Sequence, residues 1–140
     1  MTRSWSADLK KGRISTAVER LIECNILLSG VGFESGGLAL AHAIANGLTI
    51  LPECRAMHGE AVAFGLVVQL RLERAPELDQ VLEFCQRVGL PTTLEELGLG
   101  EISDADLQGV ANAIFRNERN MANEQAKVTK QKLVELMREA

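Results

Sequence analysis

The sequence predicts an all-α fold, a bundle of helices without a sheet. Apolar residues recur at spacings of three and four over most of the chain, as they do on the buried face of a helix. No segment has the strict alternation of apolar and polar residues that is typical of a half-buried strand. With 140 residues, 46% of them hydrophobic, the chain is long enough for one domain with a buried core. We expect residues 1–15 to be a linker or a truncated domain edge, and residues 16–140 to be a single all-helical domain.

The composition argues against several classes of partner. A net charge of −4 leaves no basic stripe for a nucleic-acid backbone, and no apolar run approaches the ~20 residues of a membrane-spanning helix. The N-terminus lacks the apolar centre of a signal peptide. The three cysteines are odd in number and form no CxxC pair, which favours a reducing compartment. We expect a cytoplasmic protein with no nucleic-acid or membrane partner.

The first amphipathic helix is predicted to begin at Ser15 or Thr16. Its buried stripe consists of four residues spaced four, three and four apart, namely Ala17, Leu21, Cys24 and Leu28. On this stripe Cys24 is expected to be a small buried residue, which is the common fate of a free cysteine.

Glycines are concentrated in the following segment, 30–37, which reads GVGFESGG. Their spacing does not fit the GxGxxG pattern of a dinucleotide-binding loop, and the residues before them are helical rather than a strand. We expect a tight turn between two helices, with close backbone contacts at the glycines. Phe33 either fills the core beneath this turn or forms the wall of a pocket, and spacing alone favours the core.

The first histidine lies in the next predicted helix. Ser35 is the expected N-cap, and Asn46–Gly47 is the expected C-terminal stop. Leu38, His42 and Ala45 recur at spacings of four and three, so His42 is expected to face inward.

The second histidine opens another predicted helix. One face of this helix carries His58, Val62, Gly65 and Gln69, and Glu60 in the first turn complements the helix dipole. No other histidine occurs in the chain. The pair therefore predicts two ligands to one shared cation, although spacing alone leaves open that each is a hydrogen-bonded helix residue.

The remaining chain predicts four further helices. The first follows Ala75–Pro76, ends at Gly89 before Pro91, and buries Leu78, Val81, Leu82 and Cys85. A short helix is expected from Thr92 or Thr93 to Gly98.

The last two predicted helices follow residue 100. Ser103 and Asp106 form a capping box for the first of them, which buries Leu107, Val110, Ala111 and Ile114. Residues 116–127 show no pattern, and a terminal helix buries Leu133, Leu136 and Met137.

Two motifs resemble a known family. The residues GFESGGLALAHAIANGL, 32–48, followed by HGEAVAFG, 58–65, are similar to the C-terminal helical domain of glycerol dehydrogenase in the iron-containing alcohol dehydrogenase superfamily. The resemblance extends from about Thr16 to Leu97. It implies the C-terminal metal-binding domain of a dehydroquinate synthase-like fold.

The resemblance also implies a chemistry. Members of the family use NAD to oxidise a vicinal diol such as glycerol to the hydroxyketone. They hold a divalent metal, zinc in glycerol dehydrogenases, by one aspartate and two histidines, which match His42 and His58. Phe33 is the candidate for the wall of the substrate pocket.

Parts of the family pattern are missing from this chain. The NAD-binding α/β domain and the aspartate ligand precede the first histidine in the family, and the context of Asp8 does not match that ligand. Ala45 stands where a compared member has histidine. We expect a truncated fragment that is inactive alone, binds metal weakly or not at all, and has a small polyol and the missing NAD-binding domain as partners.

Two rival interpretations remain. Cys54 lies four residues before His58 and with His42 would complete a Cys/His/His zinc site. Alternatively, the chain is a non-catalytic interaction module. In that case an exposed small-residue face, formed by Gly36, Gly37, Ala41 and Ala45, would favour a homo-oligomer.

Overall fold

The computed structural model describes residues 3–36, 38–116, 123 and 126–140, with only the backbone for 3–5 and 33–36. Every regular element in these ranges is a helix, so the all-α prediction is confirmed. The chain divides into two compact units, Met1–Gly37 and Leu38–Ala140. No helix in the described ranges is long and apolar enough to cross a membrane.

The helices follow one another in simple order. The first unit contains α1 (Arg3–Lys10) and α2 (Thr16–Gly36). In the part of the second unit that the structure describes there are five helices: α3 (Leu40–Leu48), α4 (His58–Glu73), α5 (Leu78–Val88), α6 (Asp104–Arg116) and α7 (Lys130–Glu139).

The first unit is a pair of helices that pack against each other. The sequence pattern predicted no element before residue 15, yet α1 forms there. The turn after α1 is closed by Arg13, which donates a hydrogen bond of 2.7 Å to Asp8. Gly12 provides the left-handed backbone of this turn, with φ of +63°.

The long helix α2 corrects two predictions. It continues through the glycine-rich segment, so the predicted turn there is wrong, and a Cβ on Gly30 or Gly32 would meet nothing within 4 Å. Each glycine costs a helix only about 1 kcal/mol, which a helix 21 residues long tolerates. The predicted buried stripe is also wrong, because Cys24 and Leu28 are exposed. Apolar residues surround the middle of α2, so their spacing does not select one face.

The ends of α3 also differ from the prediction. The helix begins at Leu40 with Ala39 as N-cap, and Ser35 lies within α2 instead. Gly47 is buried inside α3 and packs closely against α6. A Cβ at this position would lie only 2.6 Å from Cγ1 of Ile114. Close packing, rather than a helix stop, explains this glycine.

The second unit is built around one hydrophobic core. The predicted inward residues of α6 and α7 are all buried, and Phe64 of α4 is the largest fully buried side chain among the described residues. One half of the predicted capping box is confirmed, since Ser103 Oγ accepts from the Asp106 amide at 3.1 Å; the same hydroxyl donates to the Asp106 carboxylate at 2.6 Å. These two helices complete the wall behind α3 and α4.

The segment between α5 and α6 is only partly as predicted. Gly89 ends α5 in the left-handed conformation with φ of +76°, and Cys85 is buried. Residues 93–98 form hydrogen-bonded turns, so the predicted short helix is wrong. The Glu96 carboxylate accepts from both the amide and the hydroxyl of Thr92, at 2.6 and 3.0 Å. The backbone amides of Leu97, Gly98 and Leu99 bond to carbonyls four, three and five residues earlier, so no continuous helical series forms.

Candidate metal site

The two histidines face each other across α3 and α4. Their ring centres are 5.7 Å apart, and the ring planes are tilted by 53°. His42 lies in the first turn of α3 and is partly buried, whereas His58 is the first residue of α4 and is exposed. The juxtaposition that the sequence predicted is therefore present.

A contact between backbones sets the separation of the two helices. A Cβ on Gly65 would collide with the carbonyl oxygen of Ala41 and lie 3.0 Å from its Cα. Only glycine at position 65 allows this approach. Ala41 and Ala45 are consequently buried, so the predicted exposed small-residue face is wrong at these positions. Gly37, also assigned to that face, lies outside the described residues.

Gln69 links the two helices by a hydrogen bond. Its Oε1 accepts from the backbone amide of Ala41 at 2.9 Å, and its Nε2 donates to Glu73 at 2.8 Å. The Ala41 amide belongs to the first turn of α3, where backbone amides have no partner within the helix. A side chain of α4 thus caps α3, a role that sequence analysis missed. The signal was a polar residue on the same face as His58 and Gly65.

The start of α4 is fixed by an acidic side chain. Glu60 accepts a hydrogen bond of 2.8 Å from the backbone amide of Met57, the residue before the helix. This bond is one half of a capping box and fixes the first turn, which carries His58. The predicted helix start at His58 is confirmed.

The environment of His42 favours the neutral imidazole. Burial lowers its pKa below the ordinary value of 6.5, and the neighbouring His58 lowers it further. A neutral imidazole is the form that binds a metal ion. His42 is therefore prepared to be a nitrogen donor rather than a cation.

No third donor joins the histidines within the described part of the chain. No group of three His, Cys, Asp or Glu side chains that could hold a metal occurs there. Cys54, the third donor of the predicted Cys/His/His alternative, is partly buried and packs against the hydrophobic core, and it forms no such group with the two histidines there. The side chain of Phe33, the predicted pocket wall, lies outside the described residues.

Comparison with known proteins extends the two-motif resemblance. No protein-family model matches the chain. It is 49% identical over 121 residues to glycerol dehydrogenase from Citrobacter freundii, covering 84% of this chain and 33% of that protein. It is 48% identical over 119 residues to glycerol dehydrogenase from Thermotoga maritima, again with 33% of that protein covered. The chain is a homologue of glycerol dehydrogenases over about one third of their length.

A solved glycerol dehydrogenase has the same fold in this region. The structure from Schizosaccharomyces pombe matches 96% of this chain and 36% of its own, with a TM-score of 0.87 and 38% sequence identity. The match confirms that the chain has the helical fold found in a glycerol dehydrogenase. The relatives are oxidoreductases by name, and the chain spans about one third of their length.

Proposed function

We propose that this chain is the metal-binding helical part of an NAD-dependent glycerol dehydrogenase. The complete enzyme would oxidise the secondary alcohol of a vicinal diol to the ketone, as in the conversion of glycerol to dihydroxyacetone. The observation that carries the proposal is the His42–His58 pair, whose ring centres are 5.7 Å apart. Homology to glycerol dehydrogenases supports the choice of substrate class.

The spacing of the pair fits a shared zinc ion or another divalent cation. Zinc binds imidazole nitrogen at about 2.0–2.1 Å, and the ring centre lies roughly 1.1 Å further away. Two rings around one tetrahedral ion therefore have centres roughly 5–6 Å apart. The observed 5.7 Å falls in this range without a change of backbone.

Residues of the chain have separate roles in this proposal. His42 and His58 donate nitrogen to the cation, while Gly65 and Gln69 hold the two helices in position. When bound, the cation would lower the pKa of the substrate hydroxyl, and the nicotinamide would accept the hydride. Phe33 stays the candidate for a wall of the polyol pocket.

Two imidazoles are one protein ligand short of the usual catalytic zinc site. The family resemblance implies that an aspartate outside the matched segment is the third ligand, and that a separate α/β domain binds NAD. We therefore expect this chain alone to bind metal weakly and to be inactive. Its partners would be that NAD-binding domain and a small polyol, within the cytoplasm.

A chimaeric enzyme tests the proposal. Replacing the matched 121 residues of the Citrobacter freundii enzyme with those of this chain should give zinc-dependent reduction of NAD by glycerol. His42→Ala or His58→Ala in the chimaera should abolish NADH formation, and Cys54→Ser should leave it unchanged. A folded chimaera whose activity survives both histidine substitutions would refute the assignment of the ligands.

One observation favours a second candidate, a non-catalytic helical interaction module. Five apolar side chains of α2 are each more than half exposed: Ile22, Ile26, Leu27, Leu28 and Val31. Such a surface promotes self-association into a homo-oligomer. Sedimentation equilibrium tests this candidate. An interaction module should form oligomers, and Leu27→Glu should dissociate them. A wild-type chain that stays monomeric at high concentration would exclude the interaction module.

A further inference from the structure

A groove far along α4 from the histidine pair gathers three cationic side chains. It lies where the end of α4 meets the start of α5 and the outer face of α7, and it has a volume of about 500 Å³. The described residues that line it include Arg71, Arg74, Lys132 and three leucines, and Glu139 is the one acidic residue among them. This concentration of positive charge contrasts with the net charge of −4 for the whole chain.

Arg71, one of the lining residues, has an unsatisfied donor next to this groove. Its Nε is buried and has no hydrogen-bond partner within the described part of the chain. Burying a polar group without a partner costs about 1–3 kcal/mol, more when the group is charged. Native structures rarely retain such a group unless a water, an ion or a ligand satisfies it.

Arg74 occupies a backbone conformation that favours glycine. Its φ of +53° makes it the only non-glycine residue with positive φ among those the structure describes. It ends α4 in the left-handed region, whereas Gly89 has the same role after α5. Residues held in this region are concentrated at active sites and ligand-binding sites. Among the described residues Arg74 also forms no ion pair, so its charge is free for a ligand.

Lys132 supplies the third charge from the opposite wall. Its amino group contacts Glu135 at 3.3 Å, and both side chains are about half exposed. Exposed pairs of this kind are weak, so the lysine is able to exchange Glu135 for a stronger anion. Even with Glu135 and Glu139 counted, the three cations outnumber the carboxylates.

We propose that this groove binds the phosphate group of a phosphorylated small molecule. Arginine presents a planar fork of donors that matches phosphate oxygens. Two arginines and a lysine should therefore bind a doubly charged phosphate more tightly than a ligand with a single carboxylate. The volume exceeds that of phosphate and lies in the range of small-molecule sites, so the leucines would contact the organic part of the ligand. The site does not depend on the histidine pair or on dehydrogenase activity.

Titration of the full chain with inorganic phosphate and with phenyl phosphate tests the proposal. Ionic strength is held constant with chloride, and binding is followed by calorimetry and by the melting temperature. Phosphate should bind where chloride does not, and phenyl phosphate should bind more tightly because its ring adds apolar contact. If phosphate alone binds and the ring adds nothing, the site takes the free ion and the phosphorylated small molecule is excluded.

Arg74→Gly is the decisive variant. Glycine relieves the left-handed strain, so the variant should melt at a higher temperature without ligand while its affinity for phenyl phosphate falls at least about tenfold. Arg87→Gln is the matched control, since Arg87 is exposed on α5 and outside the groove, and it should retain wild-type affinity. Equal loss in both variants, or no loss in Arg74→Gly, would overturn the proposal, as would binding of phosphate no better than chloride.

Discussion

Gly65 of α4 lies directly against the backbone carbonyl of Ala41 in α3, so these two helices touch through their main chains. His42 follows Ala41 along α3, and His58 lies two turns before Gly65 along α4. The distance between the imidazole rings is therefore set by a contact that involves neither ring. Disturbing the glycine should disturb the pair.

Gly65→Ala should be strongly destabilising. The added methyl group meets backbone atoms that cannot rotate away, so we expect a loss of about 3 kcal/mol in the free energy of unfolding, measured by denaturant titration. Gly59→Ala is the control in the same helix, because a Cβ there meets nothing within 4 Å. It should be neutral or stabilising. Equal effects of the two substitutions would contradict this account of the helix crossing.

Gln69→Leu should loosen the start of α3. The substitution removes the acceptor for the Ala41 amide and leaves a donor in a partly buried setting, at a cost of about 1–2 kcal/mol. Hydrogen exchange of the Ala41 amide should become faster. Gln80→Leu, at an exposed position of α5, should change neither quantity. An unchanged exchange rate at Ala41 in Gln69→Leu would show that another group caps the helix.

Zinc binding should need both histidines and not the cysteine. In calorimetric titrations at pH 7.5, His42→Ala and His58→Ala should each remove the weak binding of the wild-type chain, since one imidazole alone holds zinc poorly. Cys54→Ser should bind as the wild type does, because Cys54 packs against the core. Tight one-to-one binding that Cys54→Ser abolishes would restore the Cys/His/His interpretation.

Stability should fall in acid partly because of Glu96. Hydrogen bonds from Thr92 and Thr93 lower the pKa of this carboxyl below 4.5 in the folded chain. The unfolded state then binds more protons, so the stability that Glu96 contributes is complete above about pH 4.5 and is lost as the pH falls through the folded pKa. Glu96→Gln should flatten the dependence of the unfolding free energy on pH in this window. An unchanged pH dependence in Glu96→Gln would contradict this account.

Thiol labelling should separate the three cysteines. Cys24 is exposed on α2, whereas Cys85 is buried and burial also raises the pKa of its thiol. A thiol reagent at pH 8 should therefore modify Cys24 first and Cys85 last, with the intermediate Cys54 between them, as peptide mass spectrometry would reveal. Early modification of Cys85 in the folded chain would contradict the packing of α5.

Local signals accounted for most correct predictions of helix ends. Ser103 and Gly89 act through bonds or backbone conformations within a few residues of themselves, so their residue types identify the ends of α6 and α5. Residues 93–98 show the limit of this reasoning. Threonine and glutamate often start a helix, but these residues fold into turns, with backbone bonds at spacings of four, three and five residues instead of a constant four.

Long-range contacts explain what the sequence did not reveal. The pattern placed His42 and His58 on neighbouring helices, but the contact between Gly65 and Ala41 joins residues far apart in the chain and leaves no periodic signal. The hydrogen bond from the Ala41 amide to Gln69 is equally non-local. In α2, the glycines at 30 and 32 indicated a turn, but the helix continues because nothing in its surroundings requires one.

The hairpin of α3 and α4 contains all the parts that fix the separation of its imidazoles. The contact of Gly65 with Ala41, the hydrogen bond from the Ala41 amide to Gln69 and the Glu60 bond at the start of α4 all lie between residues 40 and 73. Such a segment is portable. A protein engineer could graft it into another helical scaffold and add a carboxylate of choice opposite the rings, obtaining an artificial metalloenzyme whose first two donors need no redesign.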